Sequence, residues 1–470
     1  MPIAYPRMSE RIPKEYYIQA PENTPEYVDA YFEYPEKLNL MTETMDREVK
    51  AGFGDNVAIL YEDEKITYKQ LQERANKVGN TLLNLGIGHY DLVCLLSENR
   101  PEFIYIYCGI IKIGAIVCPF TPWLRADEIA FEANDSLAKA LIVSNAFLGE
   151  VEKANGKFET IENIIVLGGE KGHLEKIGAI SLDEHTQAAS SELETFNTHR
   201  DDVCMLLYSS GTTGLQKGTL HTHGNMVGSA DSYNSKIQLK RGEVVGGAGT
   251  FAFAFPNIFH KLIPLRHGGA ISITPFPPFD VEKLIINIER HNISVLANVP
   301  LGYIAMLKHP ALAKYNISSL QYCCSGGTPA PTWVYEEWKE KTGKILFNGI
   351  GNTEMTTWLA DARDKPNESR QTLGACGREL KQYEAEIHDR IGGKMVQTGE
   401  VGYLAIKGVT ACWYWRRSQE QVEYVRNGWS YSGDLFSQDE TGYFFYSARG
   451  DDIIKKKALR VSPPYIENIL

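Results

Sequence analysis

The sequence predicts an α/β protein of layered, largely parallel sheets with a smaller antiparallel or barrel-like unit towards its C-terminus. Three observations predict it. Short apolar runs alternate with amphipathic helical segments over most of the chain, the pattern of strand–helix–strand units. From about residue 385 the texture changes to short strands separated by Gly and Asp turns. The 470 residues suffice for two or more packed cores rather than one.

Residues 1 to about 50, rich in Pro, Glu and Tyr, read as an extended arm packed on the body. Thr67-Tyr-Lys-Gln70 has the spacing of a capping box. Leu71, Ala75, Val78 and Leu82 then repeat at helical spacing, Gly86 ends the helix, and Val93 to Ser97 reads as a strand. The longest apolar run, Phe103 to Phe120, is long enough to suggest a membrane span but contains Lys112 and two glycines. Charged, turn-rich sequence surrounds it, so it reads as a buried helix followed by a strand. Val203 to Tyr208 reads as a buried strand. Val281, Leu284, Ile285 and Ile288 mark an amphipathic helix before a strand at Ile293 to Ala297. Leu320 to Cys324 and Lys344 to Phe347 are short apolar runs, each followed by glycines. Ala385–His388, Val401–Lys407 and Tyr443–Tyr446 are the short strands of the last unit.

Hydrophobic residues make up 43% and charged residues 23%, the balance of a soluble globular protein. The formal net charge of −11 gives no global reason to expect nucleic acid or an anionic membrane as a partner. An anionic ligand would then need local charge and backbone dipoles to hold it. The eight cysteines include no Cys-x-x-Cys and sit mostly in apolar runs, as reduced core residues of a cytoplasmic protein do. The N-terminus lacks the charged-then-apolar order of a signal peptide.

The stretch Tyr208-Ser-Ser-Gly-Thr-Thr-Gly-Leu-Gln-Lys-Gly218 carries the most chemical information. Its glycines let the backbone approach a ligand and present N–H groups, its hydroxyls donate further bonds, and Lys217 adds a mobile positive charge. Those are the parts of a loop that grips a polyphosphate. A Walker loop would end in Gly-Lys-Ser/Thr, and here Gln216 precedes Lys217. Taken alone, such a cluster also fits a flexible turn between two strands. Further along come Ser325-Gly-Gly-Thr-Pro-Ala330, Gly349-Ile-Gly-Asn-Thr-Glu354, Tyr431-Ser-Gly-Asp434 and Ser447-Ala-Arg-Gly-Asp-Asp452. A lone Thr-Glu pair usually marks a helix N-cap region, and an Asp after Ser-Gly is usually a turn residue.

Together and in this order, these motifs resemble the adenylate-forming superfamily of acyl-CoA synthetases, luciferases and peptide-synthetase adenylation domains. Thr67-Tyr-Lys-Gln-Leu71, and Gly109-Ile-Ile-Lys-Ile-Gly114 leading to Cys118-Pro-Phe120, extend the resemblance over nearly the whole chain. It implies the large multi-subdomain N-terminal domain of that fold, over residues 1–450. It implies that Ser209, Ser210, Gly211, Thr212, Thr213, Gly214 and Lys217 hold the phosphates of ATP. Ser325, Gly326, Gly327 and Thr328 lie along the adenine, followed by Gly349, Ile350, Gly351 and Asn352, with Ile350 where an aromatic is common. By the same resemblance Thr353 bonds the α-phosphate, Glu354 holds Mg²⁺, Asp434 accepts the ribose hydroxyls, and Arg449 reaches ribose and phosphate. Lys217, Thr353 and Glu354 are then the catalytic candidates.

Phe251-Ala-Phe-Ala-Phe255 occupies the place of the acyl-pocket aromatic, which makes Phe253, Ala254 and Phe255, with Gly327 and Gly351, the substrate candidates. Alternation on a strand would equally put Phe251, Phe253 and Phe255 on one buried face as core. Pro264-Leu265, Gly268-Gly-Ala270, Asn39-Leu-Met and Ala51-Gly-Phe-Gly-Asp55 look most like benzoate and 2-aminobenzoate CoA ligases, with Pro256 where those carry Gly. The implied activity is ATP-dependent conversion of a carboxylic acid, aromatic or medium-chain, to acyl-AMP and then, with CoA, to acyl-CoA. The alternatives are loading of a carrier protein and a catalytically weak nucleotide-binding or acyl-AMP-binding fragment; a homodimer is left open. Asp451-Asp-Ile-Ile-Lys455 and Ile466-Glu467 resemble the hinge and first strand of the family's C-terminal lid, with Ala458 in place of Gly. Residues 451–470 are therefore expected to be a truncated start of that lid, without its late lysine.

Overall fold

Two parallel-cored sheets form where the sequence alternates buried strands with amphipathic helices, because only helices on both faces cover strands that are apolar throughout. The computed structural model describes residues 7, 21–209, 216–328, 330–365, 374–450, 454–456 and 459–461. The first sheet has seven strands, with Leu92–Leu96, Ile116–Pro119 and Ala140–Ser144 fully buried near its centre. Its far edge is a hairpin: Val203–Ser209 runs parallel to Ile116–Pro119, and Lys217–Thr222 turns back antiparallel with Ser209 opposite Lys217. The second sheet has nine strands. Val244–Gly247, Val295–Asn298, Tyr322–Ser325 and Leu346–Asn352 are its parallel core, and Thr356–Ala360 folds back antiparallel on Leu346–Asn352.

The expected capping box is present. Thr67 Oγ1 accepts from Gln70 N at 3.2 Å, and Gln70 Oε1 accepts from Thr67 N at 2.9 Å, at the head of helix Tyr68–Asn84. That helix buries Leu71, Ala75, Val78 and Leu82, the stripe its spacing predicts. The apolar run resolves into helix Pro101–Lys112 and strand Ile116–Pro119. Lys112 is buried, and Asp46 Oδ1 lies 2.8 Å from its Nζ as an ion-pair partner. Burying one of these charges without the other would cost several kcal/mol. Residues 21–50 of the arm do pack on the body, burying Tyr27, Tyr31, Leu40, Met41 and Met45, although Asp29–Phe32 and Met45–Glu48 are short helices rather than extended chain.

After residue 380 the chain forms an antiparallel sheet of Tyr383–His388, Gly402–Gly408, Trp429–Gln438, Val425–Arg426 and Phe444–Arg449. Ile454–Lys456 and Leu459–Val461 pair as a separate two-stranded ladder. All eight cysteines are buried thiols. Among the described residues no helix is long and apolar enough to cross a membrane.

Candidate active site

The tips of three sheets converge on one polar cavity of about 380 Å³. The first sheet contributes Ser209 and Lys217, the feet of its edge hairpin. Ser209 Oγ donates to Lys217 O at 3.3 Å, which ties the feet together. Ser210 to Gly214, the body of the expected phosphate loop, lie outside the described residues. Lys217 Nζ sits 3.8 Å from Glu420 Oε1 and 5.9 Å from the centre of the Tyr424 ring.

The second sheet contributes Thr353 and Glu354. They stand at the turn between Leu346–Asn352 and Thr356–Ala360, so a hairpin presents them rather than a helix start. A register shift after Ile350 tightens this hairpin. A Cβ on Gly351 would fall 1.9 Å from the Thr356 carbonyl oxygen, so no larger residue fits there. Thr356 itself has φ +65° and is held by a 2.8 Å contact between its Oγ1 and Ser229 Oγ. A β-branched residue in that region is strained, and such strain concentrates at functional sites. Thr219 Oγ1 donates to Thr353 O at 3.5 Å, linking the turn to the first sheet.

The antiparallel sheet contributes Asp434 and Arg449, cross-strand partners 3.9 Å apart. Gly433, at φ +80°, bends the strand beside Asp434. The Asp434 amide donates to Ser432 Oγ at 3.1 Å. Asp434 is thus a strand residue at a bend, not an ordinary turn residue.

Burial raises the Glu354 carboxyl above its ordinary pKa, opposed by a 3.0 Å hydrogen bond from the Tyr414 hydroxyl and by the charges of Arg449 and Lys217. Burial likewise lifts the Tyr414 hydroxyl well above its usual range. Among the described residues no three His, Cys, Asp or Glu side chains cluster as a metal cage. A cation at the Thr353–Glu354 turn would meet the Glu354 carboxylate, which fits Mg²⁺, an ion usually held by one or two carboxylates plus substrate phosphates and water.

An apolar cavity of about 520 Å³ adjoins the polar one. The two share Gly327, Ile350, Gly351, Asn352 and Thr353. Phe253, Ala254 and Phe255 line the apolar cavity as expected, but not from a strand. The strand ends at Gly247, the chain turns at Gly249 with φ +114°, and a helical segment begins at Ala254. Asn99 explains the turn: its Nδ2 donates to Gly249 O at 2.7 Å and its Oδ1 accepts from Phe251 N at 3.0 Å, replacing the ladder bonds of a strand. The three phenylalanines therefore part company. Phe251 is core, 5.5 Å from the Phe103 ring, Phe255 is half-buried, and Phe253 is 42% exposed at the mouth.

Other expected residues are placed differently from one another. Gly327, with φ +89°, and Thr328 reach the polar cavity. Gly349 lines the apolar cavity. Ser325 is fully buried at the end of its strand, and neither Ser325 nor Gly326 lines either cavity. A Cβ on Gly326 would meet the Phe255 ring at 3.1 Å, so the pair sets the spacing beneath the site.

Sequence reasoning missed Tyr414, Tyr424 and Tyr446 in the polar cavity, Glu420 beside Lys217, and Trp123, Phe276 and Leu301 in the apolar cavity. Tyr414 had a signal, the aromatic and basic string Cys412-Trp-Tyr-Trp-Arg-Arg417. This string lies along the edge strand, with Leu220 N donating to Trp413 O and Trp415 N to Gly218 O, both at 2.8 Å, which carries Tyr414 to Glu354.

A polar cavity carrying Lys217, Glu354, Asp434 and Arg449 thus adjoins an apolar one on a layered α/β fold. The chain belongs to the AMP-binding enzyme family, whose model matches residues 46–412. It is 29% identical over 442 residues to a benzoate–CoA ligase of Thauera aromatica, covering 93% of this chain and 81% of that protein. It is 27% identical over 435 residues to a 3-hydroxybenzoate–CoA/4-hydroxybenzoate–CoA ligase of the same organism, covering 92% and 82%. The structure is similar to that of the anthranilate CoA ligase AuaEII in complex with anthranoyl-AMP, with TM-score 0.87, 28% identity and coverage of 93% and 83%.

Proposed function

We propose that this protein is an AMP-forming acid–thiol ligase that activates an aromatic or medium-chain carboxylic acid with ATP and passes the acyl group to CoA. One observation carries the reading. The polar and apolar cavities share the segment Ile350 to Thr353, so an acid seated in the apolar one would present its carboxylate where the other holds a phosphate chain.

The chemistry follows from that juxtaposition. A carboxylate oxygen attacks the α-phosphorus in line, the bond to the β-phosphate oxygen breaks, and pyrophosphate leaves. The CoA thiolate then attacks the acyl carbon and AMP departs. Negative charge builds on the phosphoryl oxygens in the first step. Lys217 lies at the cavity wall to oppose it, and the Thr353 hydroxyl is a donor at the junction; preorganised donors of this kind are usually the largest contribution to such catalysis. Mg²⁺ held by Glu354 and phosphate oxygens would supply a hard cation against the same charge. Asp434 and Arg449 suit the ribose, one accepting and one donating, with ribose hydroxyls able to bridge their 3.9 Å separation.

The test is ATP–pyrophosphate exchange and acyl-CoA formation by the 470-residue chain against a panel of benzoic, arylalkanoic and medium-chain acids. Acid-dependent exchange is expected. Exchange with no acid in the panel, by a protein that binds ATP, would leave a nucleotide-binding role instead.

A further inference from the structure

The apolar cavity is open at its mouth and has a volume of about 520 Å³, part of it along Gly327 and Ile350 to Thr353, which it shares with the polar cavity. A closed cavity of about 150 Å³ holds benzene, so the remainder leaves room for more than a bare ring. Ala248, Ala254, Gly302, Gly327 and Gly349 are among its lining residues, and such small groups leave room between the larger ones. Its outer end is aromatic. The Trp123 ring lies 5.6 Å from Phe253, tilted by 33°, and 5.5 Å from Phe276, edge to face. Trp123 is 50% exposed, Phe253 42% and Leu301 72%, so apolar surface is left facing solvent around the mouth. Large exposed apolar groups gathered at one opening mark a surface that a ligand covers.

Resting on the reading of this cavity as the acyl site, we propose that the substrate is an arylalkanoic or arylalkenoic acid. Its carboxylate meets the nucleotide at Gly351 to Thr353, a short carbon spacer crosses the cavity, and its ring is held by Trp123, Phe253 and Phe276. A ring at the outer end would join the aromatic cluster in stacked or edge-to-face geometry, which an alkyl tail cannot do. A benzoyl group, with no spacer, would leave the cluster uncovered. Trp123 is then a specificity-determining residue that sequence reasoning did not find.

The test uses 5′-sulfamoyladenosine carrying benzoyl, 3-phenylpropanoyl or octanoyl groups, each titrated calorimetrically into the full chain, because such non-reacting adenylate mimics need no turnover. The 3-phenylpropanoyl compound should bind at least about tenfold tighter than the benzoyl one, since each buried methylene adds roughly fourfold. In Trp123→Ala, and separately in Phe253→Ala, that ratio should fall by about threefold or more, the loss of one ring contact; both side chains are substantially exposed, so the fold should tolerate the changes. A benzoyl compound that binds as tightly as the phenylpropanoyl one overturns the proposal. So does an octanoyl compound that binds tightest, or a ratio that neither variant lowers. If no acyl compound binds more tightly than 5′-sulfamoyladenosine itself, the cavity holds no acyl group, and the underlying functional reading fails as well.

Discussion

The polar cavity is made where the ends of three sheets meet, and its groups stand on strands and tight hairpins. The apolar cavity is made where one strand stops, turns at Gly249 and becomes helical, and side chains from separate loops close it. A polar ligand with fixed geometry needs backbone at close range and charges at set positions, so its residues recur in short strings with glycines between them. An apolar ligand needs only volume and surface, which many residue types at scattered positions supply. The first kind of site writes motifs into a sequence and the second does not.

Glu354 gives the largest expected break between the two halves. In Glu354→Gln the acid-dependent exchange rate should fall by roughly a hundredfold or more, the scale on which one charge-stabilising group contributes to catalysis. Binding of the acyl-sulfamoyladenosines should change far less, because the apolar cavity does not include this residue. A variant that loses acyl binding and exchange in equal measure would show that the two halves are not separable.

Asp434→Ala should weaken ATP binding by roughly 1.5–3 kcal/mol, the range for hydrogen bonds to charged groups. Calorimetry with ATP alone reads it directly. Unchanged affinity would remove Asp434 from the ribose and leave its pairing with Arg449 as structural.

Gly351→Ala strikes the segment that the halves share. The added Cβ would meet the Thr356 carbonyl at 1.9 Å, so the hairpin must open. The variant should lose roughly 1–3 kcal/mol of stability in a thermal or denaturant melt, as overpacked sites do. Both cavities should suffer together, nucleotide binding as well as acyl preference. Damage to one alone would mean that Gly351 serves that half and is incidental to the other.

Those contrasts also mark how far the sequence could be read. The layered sheets, the capped helix at Thr67, the buried run with Lys112 and the antiparallel C-terminal unit were all legible, because each follows from periodicity or from a local hydrogen-bond pattern. So were Lys217, Thr353, Glu354, Asp434 and Arg449 as one group, since their motifs come in family order and the structure brings them to one cavity. The strand expected at Phe251 to Phe255 was not there. Alternating Phe and Ala suits a strand by pattern, but Asn99, about 150 residues earlier, clamps the turn, and no local reading reveals that. Trp123 was missed for the same reason, whereas Tyr414 sits in a conspicuous aromatic and basic string whose pairing with the edge strand, and so its place beside Glu354, is long-range.

The smallest effect concerns protons, and it isolates Glu354 within the polar half. Its carboxyl pKa lies above the ordinary 4.5 because burial disfavours the charged form. From pH 4.5 upward to the raised value, the native protein keeps a proton that the unfolded chain has lost. The native state binds more protons there, so this group's contribution to stability is fully present below that window and falls as pH rises through it. Mg²⁺ and nucleotide reverse the preference, since they need the carboxylate charged. Binding of ATP·Mg²⁺ should therefore expel a proton and strengthen as pH rises through the same window, by at most about tenfold per pH unit for a single group. ATP itself titrates, so the informative quantity is the difference between the wild type and Glu354→Gln. Calorimetry in buffers of different ionisation enthalpy should find up to one more proton released by the wild type. Equal release from the two proteins would mean that Glu354 does not face the cation, and that the polar half binds its nucleotide without it.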